Sequence, residues 1–439
     1  FLYVARGELI RQMNVLHQKY SFTHLFTHEE TGNLISFQRD RAVARWCREH
    51  GVEWQEFTQS SVVRGGSAET RRRRLSLDDY RKSAPFKSPD SIPGPDDKTL
   101  NTGTFDWSVL CQSLPKFSGS NSLPSLQRVD EKSAEATLRS FLENRGEKYS
   151  VGISSPNTAF SRGSRLSVHL TWGTISLRSV FSRLELRRKE LNEVNIRSSW
   201  KRSLRAFESR LYWRDHFMQR LESVPDMEDR AINPAYENLP YGDRNDYLQA
   251  WLAGQTGYPM VDACMRCLNE TGFMNFRMRA MVVSFAFYGL HLSWRTIHEP
   301  LARLFHDYEP GIHLSQLQMQ AGVIGFNAIR VYSPTKQFLD HDPNGIFVHR
   351  WVEELEGRTP AEIAYAEEFP LDGYNPKVVD LKVRAKEMKA RVFEVRKSVK
   401  GKKITGDVLK RHGSKRSNSG RKKKTEKNNK GQMALFKTL

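Results

Sequence analysis

The chain has 439 residues and a formal charge of +19, with 38% hydrophobic and 11% aromatic residues. That length suits two or three domains with a sizeable core. No apolar run approaches the roughly 18–20 residues of a membrane span. The 4 cysteines in so long a chain do not form a disulfide framework and point to a reducing compartment.

In chain order, FLYVARGEL reads as a strand, followed by a helix through Lys19 and a second strand, THLFTHEE. The next unit, RDRAVARWCREHGVEWQEF, reads as a helix and then a strand. This βαβα rhythm predicts a parallel, Rossmann-like α/β sheet over residues 1–63. Residues 64–128 are rich in Ser, Pro, Gly and Arg, with RRRR at 71–74, and read as a surface connector.

From about Val129 the pattern changes. EKSAEATLRSFLENRG, SLRSVFSRLELRRKEL and SWKRSLRAFESRLYWRDHFMQRLE space their apolar residues as amphipathic helices do. An all-helical domain is therefore expected over 129–398. Of the net +19, the segment Arg396–Lys430 carries +13, and residues 399–439 are expected to form a disordered basic tail. Such a tail attracts nucleic-acid phosphates, or merely solubilises the chain.

Several motifs lie in the helical part. In GQTGYPMVDACM (254–265), Pro259 suits a first helical position and Asp262 the positive end of a helix dipole. Gly163-Ser164-Arg165-Leu166-Ser167 precedes an apolar helix, where small residues and backbone N–H groups can cradle a phosphate; plain serine capping is the other reading. FMNFRMR (273–279) brings Phe273, Phe276, Arg277 and Arg279 together, and DYEPGIH (307–313) brings Asp307, Glu309 and His313. WR at 213–214, LSWR at 292–295 and SPTKQ at 333–337 complete the set.

In that order and spacing these motifs resemble the photolyase/cryptochrome flavoprotein family, over roughly Gly7 to Ser398. The resemblance implies a partial N-terminal α/β antenna domain, because family members carry several more strands and helices before this point. It also implies an intact helical domain that binds FAD noncovalently. The intact protein would have room for a second antenna chromophore, whose identity stays open.

The resemblance also assigns residues. Tyr149 and Ser164 to Ser167 would contact the cofactor, with Arg214 at its phosphates. Arg279 would pair with Asp307 beside the isoalloxazine, Glu309 would approach its pyrimidine end, and Phe276 would pack where Asn is common. His313 would face flavin N5, where its protonation near neutral pH would matter. Trp213, Phe273, Arg277 and Arg330 would face damaged DNA. Arg210 stands where relatives that repair cyclobutane dimers carry Glu, which puts the usual lesion contact in question.

The three-tryptophan electron path of many relatives reads here as Leu317, Trp294 and Tyr241, so photoreduction either follows another route, with Trp294 as catalytic relay beside neighbouring Tyr or Trp residues, or is weak. Cys264 and Cys267 form CxxC, but buried apolar cysteines are expected rather than an iron–sulfur cluster, and no metal is expected. Gln432-Met433-Ala434-Leu435-Phe436 resembles a short peptide that binds the sliding clamp. The expected activity is blue-light splitting of cyclobutane pyrimidine dimers in UV-damaged DNA by a monomeric enzyme. In a bacterium that places it in the cytoplasm at the nucleoid; nucleus or organelle stays open. The alternative is a cryptochrome-like photoreceptor without repair.

Overall fold

The computed structural model describes residues 7–65, 83–87, 89–91, 126–193 and 198–412. The start of the first expected strand, the arginine run at 71–74, Cys111 and the Gln432–Phe436 peptide lie outside the described residues.

The N-terminal unit comprises α1 (Leu9–Tyr20), β1 (His24–His28), α2 (Leu34–Glu49) and β2 (Glu53–Phe57). The strands pair in parallel, from His24 opposite Glu53 to His28 opposite Phe57. Exposed and half-buried residues alternate along both strands, as a sheet with one covered face requires. Met13, Val43, Trp46, Cys47 and Val52 form its small core.

The chain then runs along one face of the long helix α7 (Ser198–Ser223). Ser61 donates through N and Oγ to Asp215, at 3.0 and 2.7 Å. The Val63 and Gly65 amides follow, onto Gln219 at 2.8 Å and Glu222 at 2.9 Å. Positions 215, 219 and 222 share a face at helical spacing, so one stripe of α7 fastens the α/β unit to the helical region.

That region has two cores. One is built by α3 (Glu131–Glu143), α5 (Ser167–Thr171), α6 (Leu177–Glu193) and the first part of α7; α4 (Pro156–Arg162) lies between α3 and α5 in the chain. The larger follows, with α8 (Asn245–Ala253), α9 (Pro259–Thr271), α10 (Phe276–Tyr288), α11 (Trp294–Leu304) and α12 (Pro310–Gln320). Around them lie α13 (Pro334–His341), α14 (Ile346–Trp351), α15 (Pro360–Tyr365), α16 (Leu381–Lys397) and α17 (Val399–His412). No described helix is long and apolar enough to cross a membrane.

Helix α10 is the centre of this core: from Ala280 to Tyr288 every residue is buried. Its neighbour α9 starts at Pro259, and the buried Asp262 carboxylate organises that start. It accepts from the Thr256 amide and hydroxyl at 2.8 and 2.6 Å, the Gly257 amide at 3.1 Å and the Tyr374 hydroxyl at 2.5 Å. Burial nevertheless pushes this carboxyl up, so Asp262 caps as a hydrogen-bonded group rather than as an exposed charge at the helix dipole.

The basic tail corrects its expectation in part. Residues 399–412 form a helix, not a disordered segment, and the helical region therefore continues past 398. The reason is tertiary: Val408 is buried in the larger core, and Thr405 Oγ1 receives the side-chain amide of buried Asn233 at 2.9 Å.

Candidate functional site

Where the two cores meet, a cavity of about 320 Å³ opens between α4, α5, α7, α10 and α12. Tyr149, Ser164, Arg165, Leu166 and Ser167 line one side, and Arg210 and Arg214 of α7 another. Phe273, Phe276, Arg279, Asp307, Glu309 and His313 complete the wall. Motifs far apart in the sequence, from Tyr149 to His313, thus converge on one space.

Local packing explains how each wall is held. A Cβ on Gly311 would lie 2.6 Å from Met218 Cα and 2.9 Å from the Phe217 carbonyl oxygen, so α12 crosses α7 at backbone contact. That crossing brings Glu309, which precedes α12, within 4.0 Å of Arg214. Asn275 fastens the start of α10 by donating to the Ile153 and Ser154 carbonyls at 3.1 and 3.0 Å.

The Ser164–Ser167 loop is held by residues its motif did not reveal. Arg145 donates to the Ser164 carbonyl at 2.8 Å and the Thr137 carbonyl at 3.1 Å, and also to the Gly163 carbonyl. Gln127 donates to the Arg165 carbonyl at 2.9 Å. A lone arginine after a helix and a lone glutamine before one carry no spacing signal, so nothing in the sequence singled them out. Arg165 takes φ 59° inside this loop, a left-handed conformation that costs an L residue about 1–2 kcal/mol. Its guanidinium lies 3.8 Å from the Phe273 ring centre and 5.0 Å from that of Phe160, and burial pulls its pKa down to about 10.

Two acid–base relationships dominate the opposite wall. Arg279 Nη2 reaches both Asp307 oxygens, at 2.9 and 3.0 Å, while its Nε donates to the Met274 carbonyl at 2.6 Å and its guanidinium stacks 4.0 Å over Phe305. Glu309 is less satisfied. Arg214 stands 4.0 Å away, Glu309 Oε1 is buried with no partner, and burial pushes the carboxyl up to about 7. Arg210 lies against the Tyr149 phenol, whose pKa burial raises despite that cation.

His313 departs from its expectation. Burial, then the neighbouring His298, pulls its pKa down to about 3, so the ring is neutral at any physiological pH rather than titrating near neutrality. Other expected residues stand apart from the cavity. Trp294 is fully buried in the larger core and does not line the cavity, so it is no contact residue. Trp213 is likewise absent from the lining and stacks on Phe217 at 5.5 Å. Arg277 and Arg330 also lie outside the lining, half-buried. Cys264 and Cys267 are buried on α9; burial raises both thiols, Cys267 to about 12.

Four arginines and two carboxylates therefore face one cavity, with unpaired polar atoms at Glu309 Oε1 and Arg165 Nη1. The cationic excess suits a dianionic diphosphate, and the apolar walls of Leu166, Phe207, Val283 and Leu301 suit flat rings. Fold and site define a helical domain built to enclose an anionic, ring-bearing ligand. Residues 207–394 match the FAD binding domain of DNA photolyase. A deoxyribodipyrimidine photo-lyase of Thermus thermophilus is 31% identical over 260 residues, 57% of this chain and 58% of that protein. The Vibrio cholerae deoxyribodipyrimidine photo-lyase is 28% identical over 376 residues, 82% of this chain and 77% of that one.

Among solved structures, the class III photolyase of Agrobacterium tumefaciens superposes with a TM-score of 0.71 at 22% identity, over 89% of this chain and 83% of that one. The Synechocystis cryptochrome does so at 0.70 and 18%, over 88% and 82%. The chain belongs to the photolyase/cryptochrome family. It spans little more than half the length of the Thermus relative.

Proposed function

We propose that the protein binds FAD noncovalently in this cavity and acts as a light-driven photolyase on cyclobutane pyrimidine dimers in UV-damaged DNA. The observation that carries this reading is the convergence of four guanidinium groups and two carboxyl groups on one apolar-walled cavity. Bound there, FAD would supply the light-driven one-electron chemistry that cyclobutane cleavage needs.

The protein's own part is to bind and orient. Arg214 would hold the diphosphate, and the Ser164–Ser167 loop offers backbone donors on a strained, tightly held turn. Arg279, fixed by Asp307, gives a donor-rich edge whose charge is already compensated. Glu309, with one oxygen unpaired, is a ready partner for a ring N–H. Arg277, Arg330 and Trp213 remain the candidates for holding DNA while a dimer is taken from the stack. We assign the active form as a monomer, and the Gln432–Phe436 peptide as a tether to a sliding clamp, in the cytoplasm if the source is bacterial. A light-harvesting cofactor is implicated in the archaeal photolyase of Sulfolobus tokodaii, which holds two FAD molecules. An antenna chromophore is part of the same proposal.

A photoreceptor without repair is the second reading. Two observations favour it: Arg210 is engaged with Tyr149, and Arg165 covers a face of Phe273 that a base would need. The deciding experiment uses flavin-loaded, chemically reduced protein and an oligothymidine bearing cyclobutane dimers, followed by recovery of base absorbance. Catalytic recovery in blue light and none in darkness supports the photolyase. No recovery in either condition, from protein carrying its flavin, moves the assignment to the photoreceptor.

A further inference from the structure

A second space in the helical region lies apart from the cavity just described. Helices α6 and α7 enclose a pocket of about 310 Å³, close in size to the first. Its polar lining comes from both helices: Arg188 and Asn192 of α6, and Lys201, Arg205 and Glu208 of α7. Leu191 and Leu204, both buried in the smaller core, close its floor. Helix α7 thus borders two spaces on different faces. Phe207, Arg210, Leu211 and Arg214 line the first, and no residue lines both. At 3.6 residues per turn the two sets lie roughly 120° apart around the helix axis.

One of the three cations in this pocket is already committed. Arg188 donates to Glu185 at 2.8 Å and to Glu208 at 2.6 Å, which neutralises it and occupies the Glu208 carboxylate. Lys201 and Arg205 differ. They stand one turn apart on α7, both exposed, and among the described residues no hydrogen bond or ion pair engages either. The Asn192 side-chain amide likewise has no partner among them. Two like charges at this helical spacing repel each other, so an anion between them removes a cost as well as gaining a contact. A phosphomonoester carries a charge of about −1.5 to −2 at pH 7 and three acceptor oxygens, which matches two free cations and an amide donor. A carboxylate or a phosphodiester brings a single charge.

We propose that the α6–α7 pocket is a second ligand site, which takes a phosphomonoester group between Lys201 and Arg205 with Asn192 as a further donor. Arg188 is a positioning residue that keeps the Glu208 carboxylate from opposing the anion. The volume suits a small molecule carrying the phosphate rather than a bare ion. That molecule is a free mononucleotide-like metabolite or the 5′-phosphorylated end of a nucleic acid, and the recognised group is the same in both. The site stands whether or not the first cavity holds FAD.

The test is titration calorimetry on the full chain in excess FAD, which keeps other nucleotides from the first cavity. AMP should bind, and adenosine, which lacks the phosphate, should not. The double variant Lys201→Gln/Arg205→Gln changes only exposed side chains; it should weaken AMP about tenfold or more and leave FAD uptake unchanged. A short oligonucleotide with and without a 5′-phosphate separates the two sources. A gain from the 5′-phosphate that the double variant loses assigns the site to a nucleic-acid end, and AMP binding without that gain assigns it to a free metabolite. No binding of AMP or of the phosphorylated oligonucleotide at about 1 mM, equal binding of adenosine, or equal affinities in wild type and double variant overturns the proposal. If the double variant does not fold, Arg205→Gln alone is judged by the same criteria.

Discussion

The Arg165 guanidinium lies face to ring on Phe273, 3.8 Å from its centre, from a backbone held at φ 59°. Phe273 presses its edge on Phe160 at 4.8 Å as well, so it is not the free stacking platform its sequence position implied. The cation and its unpaired Nη1 instead form the surface at this wall.

Replacing Arg165 therefore separates backbone from side chain. Asn tolerates the left-handed conformation, so Arg165→Asn should keep the fold but weaken FAD binding roughly tenfold, about 1.4 kcal/mol. Arg165→Val should also lose stability, because a β-branched residue is strained at this φ. Flavin titration and urea unfolding of both variants check the pair; equal FAD affinity in wild type and Arg165→Asn would remove the side chain from the site.

Gly311 tests the α7–α12 crossing. A Cβ there meets Met218 Cα at 2.6 Å and the Phe217 carbonyl at 2.9 Å, both backbone atoms with no flexible end to yield. Gly311→Ala should cost about 1–3 kcal/mol, read as a lower urea midpoint at unchanged slope. FAD affinity should fall with it, since α12 carries Glu309 and His313.

Glu309 and His313 give the flavin-free protein opposing pH dependences. The Glu309 carboxyl rises from 4.5 to about 7 on folding, so the native state binds more protons and stability falls as pH rises through that window. His313 drops from 6.5 to about 3, so its contribution is complete above 6.5 and is lost as pH falls toward 3. Between about pH 4.5 and 6.5 the two slopes oppose each other. Glu309→Gln should therefore gain stability relative to wild type as pH rises from 4.5 to 7, and His313→Asn should gain as pH falls below 6.5. Denaturant midpoints across pH measure both, and parallel curves for wild type and Glu309→Gln would refute the assignment.

Trp294 is buried beneath the Arg295 guanidinium, 4.5 Å from its ring centre, and Leu317 stands in the cavity lining. Tyr241, the expected last member of the path, has a buried hydroxyl with no partner. A phenol that cannot pass on its proton is a poor terminal donor. Trp294→Phe should slow light-driven reduction of oxidised flavin about tenfold and leave repair by chemically reduced protein unchanged. Tyr241→Phe should alter neither. Transient absorption distinguishes these outcomes, and a large effect of Tyr241→Phe would show a proton exit at that hydroxyl.

Most of this site was legible because its chemistry is carried by short motifs with fixed spacing. Gly163–Ser167, Phe273–Arg279 and Asp307–His313 each deliver residues to the cavity that helical periodicity alone could not have brought together. Residues that act through backbone carbonyls were invisible: Arg145 and Gln127 hold the loop without belonging to any pattern. Electrostatics was also hidden, since the low pKa of His313 depends on burial and on His298, fifteen residues away in sequence. Composition misjudged residues 399–412, because charge density says nothing of the pocket that accepts Val408.

The most direct measurement is the amount of FAD released on denaturing the purified protein after reconstitution, for the wild type and Arg279→Ala. The pair Arg279–Asp307 closes at 2.9 Å beside the cavity, and removing the arginine leaves a carboxylate facing the ligand alone. Stoichiometric FAD is expected in the wild type, with at least a tenfold loss of affinity in the variant, about 1.4 kcal/mol or more. A wild type that takes up no FAD, or a folded Arg279→Ala that keeps full occupancy, would contradict it.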